Sequence, residues 1–143
     1  MFLLDSNAWI ALFRGKSESL LAELKQHPAA DIVLCPVVLT ELQYGVCRSA
    51  PEYQAANQRM VDELRTTYAS VPFDDASAVD AAELRAHLAA TGQPIGPYDL
   101  LIAAIARTHG LTLVTNNRSE FARVPNLTLA DWQSERSAGA DPT

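Results

Sequence analysis

The sequence is poor in the residues that form cross-links and structural metal sites. It has two cysteines in 143 residues, Cys35 and Cys47, with no CxxC motif and no paired histidines. This usage predicts two reduced core thiols in a cytoplasmic protein. Long hydrophobic runs are also missing, because none approaches the roughly 18 residues that a membrane span requires. The opening residues, MFLLDSNAW, contain an acid and no basic leader, which argues against a secretory signal.

Basic residues are scarce as well. Eleven Lys and Arg against seventeen Asp and Glu give a net charge of −6. This balance argues against a protein that holds nucleic acid by bulk electrostatics. It does not exclude an enzyme that acts on nucleic acid, because acids around a metal ion form a negative pocket, and it suggests that a basic partner binds there. Glycine-rich phosphate loops and nucleophile elbows are absent too.

What the chain does contain is a regular alternation of strand and helix patterns. Hydrophobic residues make up 48% of the sequence, enough for one domain with a core. Predicted strands cover 2–4, 31–35, 69–73, 111–115 and 127–130. Predicted helices begin at Ser6 or Asn7, Ser17, Pro36, Pro51, Ala76 and Pro97. The alternation predicts an α/β fold, with a mostly parallel sheet, helices on both faces and right-handed crossovers.

The stretch 94–121, PIGPYDLLIAAIARTHGLTLVTNNRSEF, organises this pattern. Pro97 suits the first position of a helix, which places Asp99 in the first turn. The apolar run 100–106 predicts that this helix is buried on all sides. The strand that follows delivers Thr115, Asn116 and Asn117 at its carboxyl end, and in open α/β sheets ligands collect at such ends.

Three acids occupy comparable places. Asp5 ends the first strand, Glu41 lies in the second turn of the helix after the second strand, and Asp99 opens the buried helix. Each has a structural alternative: Asp5 as a helix cap before Ser6 and Asn7, Glu41 as an exposed helix residue, and Asp99 as an acid that favours the positive end of its helix.

A buried acid needs a partner or a cation, and no Lys or Arg is close in sequence to Asp5 or Asp99. Clusters of oxygen ligands suit Mg²⁺ or Mn²⁺. Such ions promote phosphodiester hydrolysis by activating water and neutralising charge on the leaving oxygen. We therefore expect a metal site, with neighbouring polar side chains that orient the acids or the phosphate: Ser6, Asn7, Thr115, Asn116 and Asn117.

Four segments, in order along the chain, resemble the PIN-domain ribonucleases, and among them the VapC-type toxins of bacterial toxin–antitoxin pairs. They are DSN at 5–7, VLTE at 38–41, GPYD at 96–99, and VTNN at 114–117 followed by EF at 120–121. The similarity runs from Met1 to about Trp132. Any one motif is weak, but the ordered set is specific.

This resemblance implies a three-layer α/β/α sandwich with a parallel sheet of four or five strands, formed by residues 1–133, and 134–143 as a flexible tail. It implies a toxin with Mg²⁺- or Mn²⁺-dependent endoribonuclease activity that forms a homodimer. A VapB-type antitoxin would cover the active site with its tail and bind operator DNA with its other end. Some relatives cut tRNA. The alternative is a catalytically silent PIN-like domain that binds RNA or a protein.

Carried over residue by residue, the resemblance matches Asp5, Glu41 and Asp99 to the catalytic acids, with Asp5 and Asp99 as metal ligands. Many relatives have a fourth acid, often an aspartate, at the place of Asn117. Glu120 is the nearest acid here, and we expect it to complete the set. The alternative is a capping box, in which Asn117 caps a helix and Glu120 reaches back to the Asn117 backbone N–H.

The resemblance also directs attention to the partner's binding surface. We expect the antitoxin to place an Arg or Lys side chain among the acids, because a guanidinium can bridge carboxylates with two hydrogen bonds. The predicted helices 17–26 and 51–68 are candidate walls of its groove.

Overall fold

The computed structural model describes residues 1–133, so the predicted tail at 134–143 lies outside the described residues. Five strands form one sheet: β1 (Phe2–Leu4), β2 (Ile32–Leu34), β3 (Ala69–Ser70), β4 (Thr112–Val114) and β5 (Leu129–Ala130). The α-helices are α1 (Ser6–Phe13), α2 (Glu18–Lys25), α3 (Pro36–Cys47), α4 (Pro51–Thr67), α5 (Asp75–Ala90), α6 (Pro97–Thr108) and α7 (Arg118–Phe121).

The sheet is parallel throughout, in the order β3-β2-β1-β4-β5. Leu3 of β1 pairs with Val33 on one side and Leu113 on the other, and Leu113 pairs with Leu129. With helices on both faces this is the predicted α/β/α arrangement. Most strands are shorter than predicted, because ladder pairing stops within a few residues while the apolar run continues into the following turn. Val71, for example, still donates its N–H to Leu34 O at 2.8 Å beyond the end of β3.

The order of the strands creates a switch point beside β1. The chain goes from β1 to β2 and β3 on one side, then crosses over to β4 and β5 on the other. Right-handed crossovers therefore place α1 to α4 on one face of the sheet and α5 to α7 on the opposite face. The carboxyl ends of β1 and β4 are adjacent at this point, which is where open α/β sheets bind ligands.

Helix α6 runs through the core, as its apolar run predicts. Residues 102–106 are at most 1% exposed, and Trp9 of α1 and Phe121 of α7 are equally buried. Each large apolar side chain removed from water stabilises the fold by about 1.5–3 kcal/mol. Because α6 is buried in this core from Leu100 onward, packing fixes the position of Asp99, the residue before it. No helix within residues 1–133 is long and apolar enough to cross a membrane.

Candidate active site

Asp5 joins the sheet to α1 and uses its two carboxylate oxygens differently. Oδ1 accepts the Ala8 N–H at 2.8 Å and caps α1, while Oδ2 accepts the Thr115 hydroxyl at 2.6 Å. The helix-cap alternative is therefore confirmed for Asp5. Ser6 or Asn7 as the cap is wrong, because the backbone is still extended at Asp5 and is helical from Ser6 onward. Only Oδ1 serves the cap, and Oδ2 can still accept or coordinate beside the Thr115 hydroxyl.

The surroundings of Asp5 disfavour its charge. The side chain is 4% exposed, and burial raises its pKa above the ordinary value. The hydrogen bonds from Thr115 and Ala8 lower the pKa, and the nearby Asp131 carboxylate raises it. The cap and the hydroxyl thus hold Asp5 in place without supplying a positive charge.

Glu41 is half-buried on α3, so the exposed-helix alternative is wrong. Its Oε1 is buried and has no hydrogen-bond partner among the described residues. Burial raises the pKa of Glu41, a hydrogen bond with Ser6 lowers it, and the charge of Asp5 raises it again. Glu41 therefore faces the same small volume as Asp5, and one of its oxygens has an unsatisfied hydrogen-bonding capacity.

Asp99 is the point at which the acids converge. Its pKa is raised to about 7, mainly by burial and then by the charges of Glu120, Glu41 and Asp5. The positive end of α6 favours an ionised acid in its first turn. The pKa of Asp99 is shifted in the opposite direction, so the helix-end alternative does not explain this residue. The predicted convergence of the three strand- and helix-end acids is present in the structure.

Glu120 is held beside Asp99 by two N–H donors. Its Oε1 accepts the Gly96 N–H at 2.6 Å and its Oε2 accepts Asn117 Nδ2–H at 2.7 Å. The Gly96 N–H is the largest of the influences that lower the pKa of Glu120. Because the pKa of Asp99 is raised and that of Glu120 is lowered, Asp99 is the more easily protonated of the two carboxyls.

The capping-box alternative for Asn117 and Glu120 is wrong. The Asn117 backbone N–H donates to Thr115 Oγ1 at 3.0 Å, and its side chain makes no cap hydrogen bond to α7. The contact between Asn117 and Glu120 joins two side chains instead. The pair therefore links the end of β4 to the start of α6, at Gly96.

Three of the five supporting polar residues contact the acids. Ser6 forms a hydrogen bond with Glu41, Thr115 with Asp5, and Asn117 with Glu120. The other two, Asn7 and Asn116, are exposed and make no hydrogen bond to an acid within the described range. Asn116 instead lines a separate polar cleft beside the turn that joins α1 to α2.

Asp131 is a member of this cluster that the sequence analysis missed. Ala130 of β5 pairs with Val114, which pairs with Leu4, so the residues that follow these strands, Asp131, Thr115 and Asp5, share one row. Asp131 Oδ1 accepts the Gln133 N–H at 2.9 Å, and its charge raises the pKa of Asp5. Applying the strand-end rule to β5 as well would have found it.

Four of these acids, Asp5, Glu41, Asp99 and Glu120, have no Lys or Arg as an ion-pair partner within residues 1–133, although the charge of Arg123 lowers the pKa of Glu120. No Lys or Arg nitrogen lies within 4.0 Å of the carboxylates of Asp5, Glu41, Asp99 or Glu120. Residues 1–133 also contain no group of three or more His, Cys, Asp or Glu already arranged to hold a metal ion. A Mg²⁺ site requires less than this, because Mg²⁺ is usually bound by one or two carboxylates and keeps several waters.

The donor set fits such an ion. It consists of hard oxygen ligands and contains an unpartnered buried oxygen on Glu41. Burial and the neighbouring acids raise the pKa of Asp99 to about 7, and a bound cation would lower it. Asp5 and Asp99 are the two carboxylates that would hold the ion, with Glu41 beside them.

A model of the PIN domain family matches residues 2–127. The chain belongs to the PIN-domain family. The PIN domain here is 34% identical over 132 residues to the tRNA(fMet)-specific endonuclease VapC of Salmonella typhimurium, covering 92% of this chain and 97% of that protein. It is 35% identical over 133 residues to ribonuclease VapC2 of Rickettsia felis, covering 92% and 98%.

The comparison with solved structures leads to the same family as the comparison of sequences. The PIN domain aligns with the DNA-bound VapBC complex of Salmonella typhimurium with a TM-score of 0.84 and 32% identity, over 92% of this chain and 97% of that one. The resemblance to VapC-type PIN-domain ribonucleases and the predicted fold class are thereby confirmed.

Proposed function

We propose that this PIN-domain protein is the ribonuclease toxin of a toxin–antitoxin pair and that it hydrolyses RNA phosphodiester bonds with Mg²⁺ or Mn²⁺. The observation that carries the proposal is the group of carboxylates at the switch point of the sheet, where Asp5, Glu41 and Glu120 raise the pKa of Asp99 and none of these four forms an ion pair with Lys or Arg within residues 1–133. A structural role would favour paired acids, whereas a divalent ion needs unpaired ones.

The residues have distinct parts in this proposal. Asp5 and Asp99 hold the ion, and Thr115 fixes the Asp5 oxygen that does not cap α1. When bound, the ion lowers the pKa of water and neutralises charge on the leaving oxygen. Glu41 Oε1 is buried and unpartnered, so it can accept a hydrogen bond from the attacking water. Glu120 completes the catalytic acids beside Asp99.

The substrate follows from the relatives and the site. The Salmonella relative is named for tRNA(fMet), and we take tRNA(fMet) as the first substrate to test for this chain. The alternative, a silent PIN-like domain that only binds RNA or protein, is disfavoured because Asp5, Glu41 and Asp99 are all present and their charges interact.

A VapB-type antitoxin is the proposed inhibitor, and an apolar groove leads from the helices to the acids. One part of it lies between α2 and α4 and includes Leu21 and Leu64, and the next part includes Met60 and Glu41. Leu21 is 43% exposed and Met60 is 36% exposed. An apolar segment followed by Arg or Lys would cover the groove and place its cation at the carboxylates. We propose that operator DNA is bound only through this antitoxin.

We also propose that residues 1–133 form the catalytic unit and that the toxin is a homodimer. The family model ends within this range, at residue 127. Size-exclusion chromatography with light scattering tests the dimer, and cleavage by a variant ending at 133 tests the extent of the catalytic unit.

Cleavage of RNA by the purified chain tests the function. The wild type is expected to cut tRNA(fMet) with Mg²⁺ or Mn²⁺ and not with EDTA, and Asp99→Asn is expected to be inactive while remaining folded. Asp80→Asn is the matched control, because Asp80 lies on α5 and pairs with Arg107 at 3.1 Å, away from the site. Equal cleavage by Asp99→Asn and wild type would contradict the proposal, as would the absence of metal-dependent cleavage from tRNA and total RNA alike.

A further inference from the structure

A polar cleft of about 430 Å³ opens next to the acids and has no part in the roles assigned above. Its lining consists of Gly15, Lys16, Ser17, Glu18, Ser19, Asn116 and Gln133. Asn116 connects it to the active site, because the preceding residue, Thr115, donates its hydroxyl to Asp5. A strand of RNA that reacts at Asp5 therefore has this cleft within reach on one side.

The turn that supplies Lys16 is rigid. Gly15 has φ +62°, and its N–H donates to Leu12 O at 3.1 Å while the Lys16 N–H donates to Ala11 O at 3.0 Å. These two bonds form a Schellman motif, which ends α1 and fixes the path of the chain. Ser17 Oγ then caps α2 by accepting the Leu20 N–H at 3.2 Å. The backbone of Lys16 is thus held between two helix ends, so only its side chain has to become ordered to meet a ligand.

Lys16 is the cation of the cleft. It is exposed, and its ammonium group has no carboxylate within 4.0 Å in residues 1–133. The Ser19 hydroxyl and the Asn116 amide add neutral donors, and Glu18 adds one negative charge. A protein with a net charge of −6 and a cluster of acids at its site repels the RNA backbone. A cation beside the site would offset this repulsion by contacting a phosphate. Lysine and hydroxyl or amide donors are the groups that contact phosphate.

We infer that this cleft binds a backbone phosphate of the RNA strand next to the cleaved bond, with Lys16 as the charged contact. The inference rests on the proposed ribonuclease function and adds a substrate subsite to it. Its role is to position the strand, and it carries no base specificity, since phosphate contacts fix register without reading sequence.

The test is the salt dependence of RNA binding, measured in the non-cleaving Asp99→Asn background with a labelled single-stranded RNA. Lys16→Gln should weaken binding about three- to tenfold at low salt and reduce the slope of log K against log salt by about 0.7, the value for one phosphate contact on a single strand. Lys25→Gln is the matched control, because it removes the same charge from the far end of α2. Glu18→Gln should act in the opposite direction and tighten binding.

The outcomes separate the subsite from the function. If Lys16→Gln and Lys25→Gln bind RNA with the same affinity and the same salt slope, the phosphate subsite is wrong, whatever the wild type does to RNA. Cleavage by the wild type that is lost in Asp99→Asn supports the ribonuclease function independently of Lys16. Melting temperatures of the Gln variants, expected to match their parent, show that the fold is unchanged.

Discussion

Asp5 and Asp74 perform the same local task at two ends of the molecule. Each caps a helix by accepting the N–H three residues along, at 2.8 Å from Ala8 and at 2.9 Å from Ser77. Yet the pKa of Asp5 is raised, mainly by burial, whereas the pKa of Asp74 is lowered, mainly by the Ser77 N–H. Both aspartates accept the same backbone cap bond, so the difference comes mainly from burial: Asp5 is 4% exposed, whereas the Asp74 side chain is 41% exposed and its capping oxygen also accepts the Ser77 hydroxyl.

Asp5 is surrounded by the other acids of the candidate active site, whereas Asp74 connects two helices. Asp74 Oδ2 lies 3.4 Å from His109, and its neighbour Ser77 also bonds Thr108 at 2.9 Å, which ties α5 to α6. Asp5 Oδ2 faces the interior, beside Thr115 and the other acids. A carboxylate whose hydrogen bonds are all made within the protein stabilises the fold. A carboxylate surrounded by other acids is stabilised by a bound cation instead.

Substituting both capping aspartates sharpens this comparison most. Asp5→Asn should lower RNA cleavage by at least about 100-fold, which corresponds to about 2.7 kcal/mol of barrier. Asp74→Asn should cleave like the wild type. Asparagine caps helices as well as aspartate does, so both variants should fold. Initial cleavage rates with saturating Mn²⁺ measure the activity, and circular dichroism shows whether each variant is folded. Comparable losses of cleavage in Asp5→Asn and Asp74→Asn would contradict the different roles assigned to these two aspartates.

The pH dependence of stability in EDTA gives a second contrast. The folded-state pKa of Asp99, about 7, is above its unfolded value of 3.8, so the native state binds more protons between these values. The free energy of unfolding should therefore fall as pH rises from about 4 through 7, by about 1–2 kcal/mol once solvent screening of a half-buried carboxyl is allowed for.

Asp99→Asn should remove most of this slope. Asp74→Asn should leave it intact, because a lowered pKa contributes stability that is lost only as pH falls. Urea unfolding at several pH values measures the slope. A slope in Asp99→Asn as steep as in wild type would show that other groups cause it.

Glu120→Gln should reduce cleavage by about tenfold, equivalent to about 1.4 kcal/mol of barrier. The structure adds a stability cost, because the new NH₂ group meets either the Gly96 N–H or the Asn117 amide, both of which are donors. The double variant Glu120→Gln with Asn117→Asp exchanges donor and acceptor, so it should recover most of the lost melting temperature. A double variant less stable than Glu120→Gln alone would mean that this contact does not fix the loop.

Sequence reasoning worked where one local pattern decides the structure. Pro97 followed by the apolar run 100–106 predicted α6 and the place of Asp99, and both are as expected. It could not decide which of two neighbouring residues, Asp5 or Ser6, caps α1. That choice depends on the residue at which β1 ends.

Contacts between distant segments were the other source of error. Asn117 and Glu120 have the spacing of a capping box, but the Gly96 N–H, 24 residues before Glu120, takes one of the Glu120 oxygens instead. Asp131 was missed although the strand predicted at 127–130 ends directly before it, because its closeness to Asp5 depends on the pairing of β5 beside β4, which one local pattern does not reveal.

Calorimetric titration of the metal-free protein with Mn²⁺ at pH 7 tests most directly whether the crowded acids form the cation site. Wild type and Asp74→Asn should bind the ion with the same affinity and release about half a proton from Asp99, seen by comparing buffers of different ionisation enthalpy. Asp5→Asn and Asp99→Asn should lose most of the affinity, and Asp99→Asn should also lose the proton release. Equal Mn²⁺ affinity in wild type, Asp5→Asn and Asp99→Asn would contradict the metal site.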